Sequence, residues 1–122
     1  AKFRYLADKM SNKAVVWHIT DHERIKMFRA FQLSRNEVVE LRGYDQSFLV
    51  DNARFEELKM EQLIVDFSSV RKASLSFINT LSERQLKIKG EARQYQITLE
   101  ELLKSIIGHE RHHLNIIKER YL

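Results

Sequence analysis

The sequence contains no cysteine and no proline, and glycine occurs only three times among its 122 residues. Without cysteine, neither a disulfide framework nor a thiolate metal site can form. Because proline and glycine are the strongest helix breakers, their scarcity favours long helices. The chain also lacks a signal-peptide pattern and any run of about 18 apolar residues, so we expect a cytoplasmic protein with no membrane partner.

The length and the composition indicate one globular domain. Hydrophobic residues make up 43% and charged residues 31% of the chain, both near globular averages. A chain of this size buries about two-thirds of its unfolded surface, which is enough for a core. The opening stretch, AKFRYLADKM, resembles the interior of a protein. We therefore expect residues 1–122 to form a single domain that is incomplete at its N-terminus.

The net charge of +4 and the pI of about 9.4 raise the question of a nucleic-acid partner. A basic surface binds phosphate by releasing counterions. Here, however, Lys and Arg alternate with Asp and Glu along the whole chain, without a basic arm or a glycine-rich aromatic motif. This distribution favours an ordinary solvated surface, and we expect no nucleic-acid partner.

The clearest helix is the last one. Thr98 and Glu101 form a T-x-x-E capping box, and Ile97 and Leu102 stand at the positions of a hydrophobic staple. These signals predict a helix that begins at Thr98 and runs to about Arg120.

Two earlier helices are predicted, over residues 60–81 and 11–34. The first has an apolar stripe at helical spacing, formed by Leu63, Phe67, Val70, Phe77 and Leu81. The second can be capped by Ser11. The linker Arg35–Glu57 is long for a helix hairpin, which indicates a crossover connection or a short extra helix near Phe55.

The last helix carries the motif HERHH at residues 109–113. At about 100° per residue, His109 and His113 lie four residues apart on one flank of the apolar face, and Glu110 lies near its middle. His112 points to another side. Two histidines at this spacing can bind one divalent ion, and H-E-x-x-H is also the zinc-protease pattern in which Glu is the general base.

Two histidines hold a metal weakly, so a third ligand is required. The proteases place it downstream, where this chain offers only Glu119, on the other side of the helix. The other histidines, His18 and His22, occur upstream in WHITDHE, and either could complete a three-imidazole site with an open position. The alternative is that these are ordinary histidines, hydrogen-bonded to carbonyl groups and to Asp21 or Glu110.

Three segments together resemble the DinB/YfiT superfamily: W-H-I-x-D-x-E-R, then V-R-x-x-x-L, then GHERHHLNIIKERYL. The resemblance implies an all-α four-helix bundle of up-down-down-up type, with metal ligands His18, His109 and His113. His112 resembles an extra histidine that is not a ligand. His22 departs from the family pattern and could be a bystander, a group that hydrogen-bonds to a ligand, or an alternative ligand. The resemblance also implies that the first helix of the family lies upstream of this chain, which would leave an apolar groove open. We expect a second copy in a homodimer, or a missing segment, to cover this groove.

The resemblance further implies a metal-dependent enzyme that acts on a small-molecule substrate. Neutral imidazoles leave the charge of the ion largely uncompensated, so the site could activate water, as in a hydrolase, or a low-molecular-weight thiol, as in an S-transferase. Imidazoles do not identify the metal; zinc is our first expectation and nickel our second. Glu110 is a candidate base, although we favour a role in orienting a ligand ring, and Asp21 is a candidate for the same role. The competing hypothesis is a non-catalytic, dimerising helical bundle whose metal site is structural or vacant.

Overall fold

The structure is a computed structural model that describes residues 11–37, 44–92 and 95–121; the side chains of residues 92, 95 and 112–121 lie outside the description. The predicted all-α bundle is confirmed, with one small hairpin added to it. The elements are α1 (Asn12–Ser34), α2 (Gln46–Asp51), a 3-10 turn (Phe55–Glu57), α3 (Met60–Ile78), α4 (Glu83–Leu86), β1 (Lys89–Ala92), β2 (Tyr95–Thr98) and α5 (Leu99–Tyr121).

The predicted caps of the first and last helices are confirmed. The Ser11 hydroxyl accepts a hydrogen bond from the Ala14 backbone N–H at 3.1 Å. At α5, the Thr98 hydroxyl accepts from the Glu101 N–H at 3.1 Å, and the Glu101 carboxylate accepts from the Thr98 N–H at 2.7 Å. Each cap satisfies backbone donors that have no partner inside the helix.

Helix α3 ends at Ile78, whereas the apolar stripe predicted an end at Leu81. The Asn79 N–H bonds to the Leu75 carbonyl and the Thr80 N–H to the Phe77 carbonyl, which closes the helix with a turn. Leu81 still packs against the core, but from the link beyond the helix. The apolar character of Leu81 therefore reflects its burial and does not indicate that it is part of the helix.

The long connection joins two parallel helices. At one end of the bundle Ala14 and Leu63 belong to the same core cluster, and at the other the Phe31 and Phe77 rings lie 6.1 Å apart. Since α1 and α3 run in the same direction, the chain must return along the bundle between them, as a crossover does. The predicted element near Phe55 is confirmed as the 3-10 turn, and α2 was not predicted.

The link before α5 also contains elements that the sequence did not predict. Helix α4 has its own capping box, and strands β1 and β2 form an antiparallel hairpin that pairs Lys89 with Thr98 and Ala92 with Tyr95. Strands of four residues are too short to show a clear alternating pattern. The hairpin leads directly into α5, whose Leu99 N–H bonds to the Ile88 carbonyl at 2.8 Å.

Helix α1 is the central element, because α3 and α5 both pack against it. One buried apolar cluster joins the end of α1 to the start of α5, and another joins the start of α1 to α2, the 3-10 turn and α3. The buried polar side chains of α1 include His18, His22 and Glu23, which lie between these clusters. Among the described helices, none is both long and apolar enough to span a membrane.

Candidate metal centre

Two of the predicted ligands, His18 and His109, are in side-chain contact. His18 of α1 is buried, and its Nε2 atom lies 2.9 Å from Nε2 of His109 of α5. The two ring centroids are 4.7 Å apart. Histidines from near the two ends of the chain thus meet in the bundle, where His18 is buried and His109 is half-buried.

His22 joins the same group in a different way. Its ring stacks on that of His109 with centroids 3.6 Å apart and an interplanar angle of 17°, whereas it lies 6.3 Å from the ring of His18. The lone pairs of a ring nitrogen lie in the ring plane, so two stacked rings are poorly arranged to share one ion. This geometry favours His18 over His22 as the upstream donor.

The Nε2 atoms of His18 and His109 are within hydrogen-bond distance of each other, at 2.9 Å. Zinc–nitrogen bonds of about 2.0–2.1 Å in a tetrahedron separate two nitrogens by roughly 3.3 Å, so the two rings would bind one ion after moving slightly apart. Among the described side chains, no group of three or more His, Cys, Asp and Glu residues is arranged to hold a metal ion. The predicted third ligand, His113, and its neighbour His112 have side chains outside the described residues.

Glu110 contacts Arg71 of α3, a partner that the sequence did not predict. The carboxylate is largely buried, at 16% exposure, and the guanidinium is 27% exposed. A hydrogen-bonded ion pair of this kind holds the carboxylate in one orientation. Glu110 therefore forms a contact between α5 and α3, and it directly follows His109 in the sequence.

The same arginine binds a second carboxylate, that of Glu23. Arg71 Nη2 donates to Glu23 Oε1 at 2.8 Å, Arg71 Nε reaches both carboxylate oxygens at 3.1 Å, and the Ser74 hydroxyl donates to Oε2 at 2.7 Å. This group was not predicted from the sequence. The sequence offered one signal for it: Arg71 and Ser74 lie three residues apart, beside the apolar stripe of α3. A charged residue at the margin of such a stripe needs a buried partner.

Tyr44 lies at the edge of the histidine group, and Asp21 lies near Tyr44. Burial raises the pKa of the Asp21 carboxyl to about 6; the charge of Arg24 lowers it and that of Asp66 raises it. The Tyr44 ring is 6.2 Å from that of His22, and among the described residues its buried hydroxyl has no hydrogen-bond partner. Burial and the charge of Asp21 raise the pKa of Tyr44 above its usual range, so the phenol is neutral.

An apolar pocket of about 260 Å³ opens beside this polar layer. Its wall is formed by Val16 and Ile19 of α1, Ile64 and Phe67 of α3, and Glu110 of α5. Among the described residues, this lining is apolar apart from one carboxylate, which is typical of a site for the apolar part of a small molecule.

The chain belongs to the DinB superfamily, whose family model matches residues 1–117. Among solved structures, the chain is similar to YfiT from Bacillus subtilis, described as a probable metal-dependent hydrolase with an unusual four-helix bundle topology. The TM-score is 0.78 at 23% sequence identity, over 91% of this chain and 65% of YfiT. A search of curated proteins finds no match. At this identity the structural likeness establishes the fold, and this chain spans about two-thirds of the length of YfiT.

Proposed function

We propose that the protein is a metal-dependent enzyme acting on a small-molecule substrate, in which His18, His109 and His113 hold a divalent transition metal. The observation that carries this proposal is the 2.9 Å approach of the His18 and His109 Nε2 atoms inside the bundle. Zinc is the first candidate and nickel the second, since both accept imidazole ligands.

A divalent ion held by neutral imidazoles would make a bound water or thiol more acidic and so supply a nucleophile near neutral pH. The protein's own contribution is to hold the rings and to limit the access of water. His18 is only 1% exposed, and apolar clusters lie on both sides of the polar layer. Because Arg71 engages Glu110, we favour a positioning role for this carboxylate over general base catalysis. Asp21, His22 and His112 are proposed to orient ligand rings.

Two reaction classes agree with such a site. One is hydrolysis, and the description of YfiT as a probable metal-dependent hydrolase supports it. The other is transfer of a low-molecular-weight thiol onto an electrophile. In both, the apolar pocket beside Glu110 would receive the apolar part of the substrate.

The test is elemental analysis of protein purified without an affinity tag, followed by thiol-transfer and ester-hydrolysis assays on the same sample. We expect about one equivalent of transition metal per chain, and we expect activity that His109→Ala abolishes together with metal uptake. Metal-free protein that fails to take up zinc or nickel in dialysis would contradict the proposal.

The second candidate is a non-catalytic bundle that forms a homodimer. Its support is the number of large apolar side chains that are about half exposed or more in the described part of the chain: Phe28, Phe31, Phe48, Ile64, Val65, Leu75 and Ile107. Where such side chains form a contiguous patch, they favour association. Light scattering that gives a dimer, together with full metal loading and no turnover, would favour this alternative. We propose a cytoplasmic location and no nucleic-acid partner, as the sequence predicted.

A further inference from the structure

Glu23 is a charged residue with almost no exposure, at 1%. Its carboxylate receives three hydrogen-bond contacts from Arg71 and one from Ser74, all from helix α3. A buried carboxylate is tolerated only when its lone pairs are satisfied and its charge is compensated. The orientation of α1 against α3 is therefore tied to the position of the Arg71 guanidinium.

The same guanidinium also contacts Glu110 of α5. Each of the two carboxylates directly follows a histidine of the candidate site in the sequence, Glu23 after His22 and Glu110 after His109. One side chain of α3 thus connects the two helices that carry the described histidines. An arginine suits this position because its planar fork offers donors in several directions, whereas a lysine ammonium is a single point charge.

We propose that Arg71 is a positioning residue that, through Glu110 and Glu23, fixes α5 against α1 so that His109 and His18 stay within reach of one ion. The inference deepens the proposed function and rests on it. Arg71 does not touch the metal; it acts through the helix segments that carry the ligands. Outer partners of this kind change metal affinity by about 10–100-fold when they are removed.

A second ion pair provides a matched comparison. Arg24 binds Asp66 through two hydrogen bonds of 2.8 and 3.0 Å, and it joins the same helices, α1 and α3. This pair does not include α5, and its side chains are 47% and 31% exposed. If any link between α1 and α3 were enough to hold the metal ligands in place, removing the Arg24–Asp66 pair would lower metal affinity as much as removing the contacts of Arg71.

The experiment measures zinc affinity by competition with a chromophoric chelator, and the absorption spectrum of the Co²⁺ form, in four variants of the full chain. Glu110→Ala leaves the Glu23–Arg71 pair intact, and we expect zinc affinity to fall about 10–100-fold with an altered Co²⁺ spectrum. Glu110→Gln should recover most of the affinity, because its amide oxygen still accepts from Arg71. Arg71→Lys should reduce affinity at constant charge, and Asp66→Asn should leave it unchanged.

Circular dichroism of the metal-free variants verifies that each is folded, so that loss of affinity is not loss of structure. Affinity of Glu110→Ala equal to that of the unmodified protein would overturn the inference while the proposed function stands. An equal loss in Asp66→Asn would also overturn it, because α5 would then play no special part. If the unmodified protein binds neither Zn²⁺ nor Co²⁺, the proposed function fails and the inference fails with it.

Discussion

The Nε2 atoms of His18 and His109 lie 2.9 Å apart, although 91 positions separate the two residues in the sequence. The contact requires α1 and α5 to pack with a defined register, because a helix rises about 1.5 Å per residue and a shift of one turn would separate the rings. One contribution to this register is apolar: Ala30 and Leu33 of α1 pack with Leu99 and Leu102 of α5 in one buried cluster. This packing acts at the end of the bundle, whereas the contacts of Arg71 with Glu23 and Glu110 act beside the histidines.

Arg71→Met is expected to destabilise the protein strongly. Removing the guanidinium leaves the buried Glu23 carboxylate without its counter-charge, and such a change costs about 3–5 kcal/mol. Urea unfolding of the metal-free protein measures this change in the free energy of unfolding.

The matched control for this substitution is Arg24→Met, which breaks the exposed pair with Asp66. We expect a loss of at most about 1 kcal/mol, because solvent screens an ion pair at the surface. Equal losses for the two methionine variants would show that burial of Glu23 does not govern the stability of this layer.

Asp21→Asn is expected to stabilise the metal-free protein at neutral pH. The pKa of this carboxyl is raised from 3.8 to about 6 in the folded protein, so between these values the folded state binds more protons than the unfolded state. The contribution of Asp21 to stability therefore falls as pH rises from about 4 to about 6, and an uncharged amide avoids the loss.

Melting temperatures of Asp21→Asn and the unmodified protein at pH 4, 5, 6 and 7 test this expectation. The difference between them should grow in favour of the asparagine variant across that interval and level off above pH 7. A constant difference would mean that the carboxyl titrates alike in both states.

Thr98→Ala is expected to lower the free energy of unfolding by about 1 kcal/mol, the usual cost of losing a helix N-cap. The Thr98 hydroxyl accepts from the Glu101 N–H, and no other described side chain takes this role. Ser68→Ala, at an exposed position inside α3, is the comparison and should change stability little. If both changes are equally small in thermal unfolding, α5 does not depend on its cap.

Much of the fold could be predicted because local signals and burial agreed. The Ser11 and Thr98 caps specified where α1 and α5 begin, and side-chain hydrogen bonds of this kind depend on nearby residues alone. Where burial came from another element, the prediction was wrong: Leu81 extended the predicted helix although it packs from the link. The hairpin of β1 and β2 was missed because its stability depends on pairing and on its junction with α5.

The candidate site was predicted in part. His109 and His113 have i,i+4 spacing, and the upstream histidines lie in one segment, which indicated that His18 or His22 would approach His109. In the structure the rings of His18 and His22 both contact that of His109. The Arg71 group was not predicted, because a charge at the margin of an apolar stripe does not reveal its partners. Glu23 and Glu110 lie on different helices from Arg71, at separations of 48 and 39 positions, which only the tertiary structure brings together.

Whether His18 and His109 bind the same ion can be observed in a crystal structure of the zinc-loaded protein, with the ion located by its anomalous scattering. We expect one ion per chain, bound at about 2.0–2.1 Å to Nε2 of His18 and of His109 and to the His113 ring. An ion bound only by surface carboxylates, with the rings of His18 and His109 turned away from each other, would contradict this expectation.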